Sequence, residues 1–258
     1  MKNRTSGKAR AASEVGMKMV QVTIILAIAI ALAAGSAFAA PARIASLEQY
    51  VQDPVRVALD AAGNVYVTDM IHNSVLVYRS TGAYVGTLNL PPKSYPRAIA
   101  VNANGALYVG VGSQVKVFNA DFSSAGCLGG AVCANFKNLN DIHVDGAGNI
   151  YAVDNYPEIS VVKVFDARGV LTGTISGSDA SRLNKPTAVA VDDANGEIII
   201  ADQPDVVVTT NGTTATVSGT RIQVFDAQGK YLLSFSPLTK SQEGLAGVNL
   251  WQVMGLAL

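Results

Sequence analysis

From Pro54 onward, hydrophobic and polar positions alternate with a period of two, in short runs closed by turns rich in Asp, Asn and Gly. Runs such as Val65-Tyr66-Val67-Thr68 are β-branched and aromatic, which predicts half-buried strands. The run Ala188-Val189-Ala190-Val191 ends in Asp-Asp-Ala-Asn-Gly, a tight turn in which glycine supplies positive φ. After a polar break a third strand follows, as in Ile222-Gln223-Val224-Phe225. Asp226-Ala-Gln-Gly229 turns the chain again, and Tyr231 to Phe235 predicts an outer strand. No sustained helical periodicity interrupts this pattern.

The four-strand grammar recurs four times, beginning at Pro54, Pro96, Leu139 and Pro186. Equivalent residues Leu59, Val101, Val144 and Val191 are spaced by 42, 43 and 47 positions. Four antiparallel strands at this period predict an all-β fold, a β-propeller of four-stranded blades. The blades are placed at about 54–95, 96–138, 139–185 and 186–246. Residues 247–258, which include Leu250-Trp251-Gln252-Val253-Met254, read as the first strand of a fifth. An open or incomplete ring is expected, with apolar blade faces exposed at both ends. Residues 43–52 are a candidate outer strand for the last blade of a complete ring, a closure that has nothing to close on while blades are missing.

The segment before the repeats has a different character. Lys2, Arg4, Lys8, Arg10 and Lys18 precede an apolar run from Val22 to Ala34, followed by Ala37-Phe38-Ala39. This is the layout of a secretory signal peptide cleaved after Ala39, with Met17 as an alternative start. An uncleaved anchor is the competing reading. The apolar run is shorter than the roughly 20 residues a span needs, so no membrane span is expected after cleavage. Residues 1–39 are therefore assigned to a signal and 40–258 to the propeller, which places the mature chain in the periplasm, at the cell surface or outside the cell.

Export changes how Cys127 and Cys133 read. They are separated by Leu-Gly-Gly-Ala-Val, and an oxidising compartment permits a disulfide, with two buried thiols as the alternative. No Cys-x-x-Cys-His marks a haem site. Zinc needs four ligands, whereas only two histidines exist, His72 and His143. The formal net charge is zero and no basic cluster follows the N-terminus, which disfavours nucleic acid as a partner.

The segments VALDAAGNVYVTD, IHVDGAGNIYAVD and AVAVDDANGEIIIAD, with third-strand partners VLVYRSTG, VKVFDARG and IQVFDAQG, resemble the NHL-repeat family over nearly all of residues 54–258. The second repeat departs from the pattern, since Gly110 replaces the usual aspartate. The fourth is stretched by an insertion. The resemblance implies a propeller of five or six blades, so the chain reads as C-terminally truncated.

The recurrent aspartates Asp60, Asp145 and Asp192, and Asp69, Asp154 and Asp202, read as turn residues that accept backbone N–H bonds, with axial carboxylates as the alternative. His143 stands where the other repeats carry Ala58, Ala100 and Ala190, and is a candidate axis-facing group. Lyase relatives of this fold hold zinc with several histidines near the axis, a set that His72 and His143 do not reproduce. Lactonase-like propellers use acidic and amide residues there; Asn140, Asp141, Asn184 and Asn249 are the residues here that could point that way. No catalytic residue, metal site or cofactor is expected.

The insertion Asp205-Val-Val-Val-Thr-Thr, Asn211-Gly212, Thr213-Thr-Ala-Thr-Val217 reads as a hairpin on the face that carries strand 2–3 and blade-to-blade connections. The connection 234–249 and the Cys127–Cys133 loop are placed on that face too. Asp205, Asn211, Gly212 and Thr213 are thus candidate binding-face residues, for a protein or glycan partner. Drift in a tolerant loop is the bland alternative. A non-catalytic binding or scaffolding module is the leading expectation, with a metal-dependent lyase or lactonase-like enzyme as the alternative and a structural spacer as a third.

Overall fold

The structure, a computed structural model, describes residues 50–156, 158–210, 213–235 and 256, with backbone alone for Ala180, 206–210, 213 and 215–218. All of these lie in Ala45–Leu258, the second of the two units into which the chain divides. The fifth-blade strand at 247–258 and residues 43–49 fall outside the described residues, apart from Leu256.

Each repeat folds as one antiparallel sheet in sequence order. Blade 1 contains β1 (Pro54–Leu59), β2 (Val65–Asp69), β3 (Ser74–Tyr78) and β4 (Tyr84–Asn89). Blade 2 contains β5 (Ile99–Val101), β6 (Leu107–Val111), β7 (Gln114–Phe118) and β8 (Ser124–Cys127). Blade 3 contains β9 (Leu139–Val144), β10 (Ile150–Tyr156), β11 (Ile159–Phe165) and β12 (Leu171–Ile175). In blade 4, β13 (Ala188–Asp192) and β14 (Glu197–Asp202) are followed by a separate two-stranded sheet, β15 (Asp205–Thr210) and β16 (Thr213–Ser218). The blade then resumes with β17 (Arg221–Phe225) and β18 (Tyr231–Phe235). The inner strands pack in succession, β1 on β5, β5 on β9 and β9 on β13, so the described residues form four blades of a β-propeller with almost no helix among them.

Alternation puts one apolar set on each sheet face, and neighbouring faces bury each other. Tyr66, Val75, Val77 and Leu88 of blade 1 meet Ile99, Leu107 and Val109 of blade 2. Tyr108 and Val115 of blade 2, with Leu128 and Phe136 from the connection after it, meet Ile142, Ile150 and Phe165 of blade 3. Tyr151, Val153 and Val162 then meet Val189, Ile198, Ile200 and Phe225 of blade 4.

The two end faces differ from each other. On blade 1, Val67, Leu76 and Tyr78 are buried with Val51 packed among them, and Tyr50 lies 4.7 Å from Tyr84 between ring centroids. The expectation of an exposed face at this end is corrected, since Val67, Leu76 and Tyr78 are buried and Val51 packs on them. Blade 4 shows Leu233 and Phe235, 42% and 57% exposed.

The recurrent aspartates have structural partners. Asp60 Oδ1 accepts the N–H groups of Ala62 and Asn64, and Oδ2 accepts the Tyr66 hydroxyl. Asp145 repeats this with Asn149 and Tyr151. The second set is fully buried and reaches backward in sequence. Asp69 accepts from Gln52 N–H, Asp154 from Lys137 and Asn138 N–H, and Asp202 from Asn184 N–H. Each thereby pins the chain that enters its blade. Burial works against ionisation of Asp69, but its N–H donors outweigh that and draw it down to about 2.

Blade 2 lacks this pin for a steric reason. A Cβ at Gly110 would stand 2.8 Å from Leu139 Cδ2 and 3.0 Å from Ala98 Cβ. Leu139 of the next inner strand fills the space an aspartate would need. Restoring the repeat residue by Gly110→Asp is therefore expected to destabilise the fold, by ~1–3 kcal/mol for the overpacking alone. Urea denaturation would measure it, and an equal or raised midpoint would refute the steric account.

Candidate functional site

Around the axis, equivalent inner-strand positions of the four blades carry Arg56, Ala98, Asp141 and Ala188. The two long charged side chains thus belong to alternate blades, and they meet. Arg56 Nε lies 3.5 Å from Asp141 Oδ1, and Arg56 Nη2 donates to the Asn140 carbonyl at 3.3 Å. Asp141 Oδ2 accepts the Val189 N–H of blade 4 at 3.0 Å. Ala98 and Ala188, both fully buried, leave the space that lets the pair cross.

Burial pushes the Asp141 carboxyl up to about 6, against the Arg56 charge and the N–H groups of Val189 and Ile142. Arg56 Nε makes an ion-pair contact but no hydrogen bond. The axis is therefore occupied by a desolvated ion pair that ties blades 1, 3 and 4.

His143 is partly buried opposite Tyr151 on β10, and burial lowers its pKa against the pull of Asp193 and Asp145. Asp193 is itself bonded to the Gly146 N–H. His72 pairs with Asp69 through Nδ1 at 3.0 Å in the β2–β3 connection, so the two histidines serve separate blades. Asn140 donates to the Thr187 carbonyl, while Asn184 uses its backbone N–H on Asp202; Asn249 lies outside the described residues. Among the described residues, no three His, Cys, Asp or Glu side chains are grouped to hold a metal, and no helix is long and apolar enough to cross a membrane.

Cys127 and Cys133 are joined by a disulfide, their Cα atoms 5.4 Å apart. Gly129 N–H within this loop donates to the Gly169 carbonyl, so the loop is anchored on the outer turn of blade 3.

The loop-rich face carries a groove at one blade junction. A cavity of about 570 Å³ lies between blades 3 and 4. Its walls are Glu158 to Val161 of blade 3, Ser176, Asp179, Arg182, Leu183 and Asn184 of the blade connection, and Pro204, Asp205 and Arg221 at the base of the inserted hairpin. The connection contains a short 3-10 turn, Asp179–Ser181, and holds Asp179 and Lys185 at positive φ, of 45° and 49°. Non-glycine residues in that region store strain, which clusters at binding sites. Lys185 Nζ reaches Asp205 at 3.3 Å across the groove, and Arg221 is held bidentate by the buried Asp202. Asp205 is thus in the groove wall and Thr213 begins β16, whereas Asn211 and Gly212 lie outside the described residues.

No protein-family model matches the sequence, and no curated protein sequence matches it. Solved structures do. The chain superposes on a Kuenenia stuttgartiensis hydrazine synthase chain with TM-score 0.54 and 16% identity, covering 73% of this chain and 50% of that one. A chain of the nidogen/laminin complex gives TM-score 0.50 and 15% identity over 71% of this chain and 80% of that one. A gluconolactonase from Xanthomonas campestris gives 0.48 and 16%, over 74% and 78%. The likeness is one of fold: a β-propeller. The chain spans half the length of the hydrazine synthase chain it matches.

Sequence reasoning missed the axial pair, although the signal was present. Read down the aligned repeats, Arg-Ala-Asp-Ala is a departure on alternate blades with opposite charges. Removing one partner strands the other in a buried site, so Arg56→Ala or Asp141→Ala is expected to cost ~3–5 kcal/mol, and replacing both with leucine much less. The pH dependence follows from the raised carboxyl. Between the unfolded value of 3.8 and about 6 the folded chain holds the extra proton, so this site's contribution to stability falls as pH rises through that window. The stability difference between wild type and Asp141→Asn should vary over that range and level off above it; denaturation at a series of pH values checks this, and a flat difference would sink it.

Proposed function

We propose that this chain is an exported, non-catalytic propeller of the NHL-repeat type, which binds protein or glycan through its loop-rich face. One observation carries the reading: the departures from the repeat in blades 3 and 4 converge on a single groove. The hairpin insertion, the strained connection 176–187 and the β10–β11 end all contribute to its wall. A rigid scaffold bearing irregular loops is the usual construction of a recognition surface. The cavity has the size of small-ligand sites, and its mixture of carboxylates, guanidinium and hydroxyl groups with Ile159, Leu183 and Pro204 suits a polar partner with apolar patches.

Two further observations support the reading. The Arg56–Asp141 pair fills the axis where propeller enzymes gather their reacting groups, so chemistry there would have to displace a buried ion pair. The Cys127–Cys133 disulfide suits an oxidising compartment, in keeping with cleavage after Ala39 and residence in the periplasm, at the cell surface or outside the cell. The nidogen/laminin complex is an instance of this fold within a protein assembly.

Glycan arrays and crosslinking against envelope extracts, with identification of what is captured, test the proposal. Asp179→Ala with Arg182→Ala should weaken binding about tenfold or more, as expected for lost charge-assisted hydrogen bonds. N-terminal sequencing of the secreted product should begin at Ala40. Binding that the double substitution leaves untouched would overturn the groove assignment, and a retained Met1 or Met17 the export reading.

A further inference from the structure

We propose that the Cys127–Cys133 disulfide is a redox-responsive latch. When a dithiol reductant opens it, the outer strand of blade 2 comes away from the propeller together with Leu128, while the other blades keep their fold. This goes beyond the groove between blades 3 and 4 and does not depend on it.

The strand that the disulfide secures has little else to hold it. The outer strands β4 and β12 bury Leu88 and Ile175, whereas none of the four residues of β8 is buried. The ladder from β8 to β7 has three residue pairs, Lys116 with Cys127, Val117 with Gly126 and Phe118 with Ser124, and a register irregularity interrupts it. Blade 2 is also the blade that carries Gly110 in place of the pinning aspartate. Segments with few buried apolar contacts are the ones that open locally, below the free energy of global unfolding.

The chain beyond the disulfide is held firmly. Lys137 and Asn138 donate their N–H groups to Asp154, and Phe136 N–H donates to the Ser113 carbonyl. Lys163 Nζ donates to the Asn135 carbonyl at 2.8 Å and lies 4.5 Å from the centroid of the Phe136 ring. Cys133 is two residues from this anchorage, so its bond to Cys127 ties the end of β8 to it. Leu128 sits inside the closed loop, buried in the cluster that includes Ile142, Ile150 and Phe165 of blade 3. Its carbonyl accepts the Ala134 N–H, and the Gly129 N–H reaches the Gly169 carbonyl. A disulfide stabilises mainly by restricting the chain once it opens. Without it, residues 124–134 keep a short ladder, one leucine and these loop bonds, whereas Asn135 to Asn138 stay anchored.

A reductant can reach the bond. Both cysteines are partly exposed, and the residues between Leu128 and Cys133 are open to solvent, Val132 by 82%. One thiolate of the reductant attacks a cysteine sulfur to form a mixed disulfide, and its second thiol displaces that bond. The cysteines take up two electrons and two protons to become thiols, and the reductant leaves as its own disulfide. Release of β8 leaves β7 as the edge of blade 2 and opens an apolar site where Leu128 had been.

Hydrogen exchange read by mass spectrometry, on the purified full-length protein with and without dithiothreitol, tests the latch. Reduction is expected to speed exchange about tenfold or more in peptides covering 124–134, and to leave the strands of blades 1, 3 and 4 unchanged. Reoxidation should restore the slow exchange. Cys127→Ser with Cys133→Ser should exchange fast without reductant and not respond to it. Should that variant fail to fold, wild-type protein reduced and then alkylated with iodoacetamide takes its place. Exchange in 124–134 that reduction leaves unchanged, or reduction that speeds exchange in all blades together, overturns the proposal.

Discussion

A buried carboxylate at or near the end of the second strand holds each of three blades to the chain that arrives from upstream. Asp69, Asp154 and Asp202 have no exposure to solvent, and each would be costly to desolvate without its donors. The donors come from backbone 16 to 18 residues earlier. A residue that closes a strand thus also fixes where the blade's inner strand begins. The next residue completes the arrangement: the N–H groups of Met70, Asn155 and Gln203 donate to the carbonyls of Asp53, Asn138 and Asn184. The hydrophobic faces supply the driving force for stacking, but they are slippery; the carboxylates set the register between one blade and the next.

The same logic explains the beginning of the propeller. Gln52 and Asp53 dock on β2 as Lys137, Asn138 and Asn184 dock on later blades. Upstream chain therefore enters blade 1 in the manner of a connection from a preceding blade. Val51 follows it onto the apolar face formed by Val67, Leu76 and Tyr78. At Gly110 the pin is replaced by packing, since Leu139 takes the space, and blade 2 leans on its neighbour through Phe136 and Leu128.

Much of this was legible in the residues. Period-two alternation, turn glycines and a repeat of forty-odd positions specify four-stranded blades, because strand length, turn chemistry and face burial all point the same way. The carboxylates were readable as turn residues for a similar reason, since anything obeyed by every repeat serves what every repeat needs. What they reach was less visible. Asp60 bonds within its own turn, whereas Asp69 bonds across a connection whose path depends on how two blades dock. The axial pair was harder still. Arg56 and Asp141 are 85 positions apart and come together only because the inner strands of blades 1, 2 and 3 pack in succession, with the small Ala98 at the equivalent position between them. His143 had drawn notice by breaking the alanine pattern, yet it sits beside Asp145 and Asp193 near the turns.

The axial pair bears on where recognition can happen. A propeller has an axis, two faces and a rim. In this chain a guanidinium and a carboxylate from the inner strands of blades 1 and 3 neutralise each other, with buried alanines at the equivalent positions of blades 2 and 4. Burying such a pair is of little net benefit compared with apolar packing, whereas leaving either partner without the other is costly, so each of the two residues requires the other. One face is occupied by repeated, self-bonded Asp turns, which are much alike from blade to blade. The other is where the repeat is broken, by a strained connection, by an inserted hairpin and by the groove between them. A surface that distinguishes one partner from another has to differ from its own repeats, and among the described residues the inserted hairpin, its connection and the groove bring such differences together at the junction of blades 3 and 4.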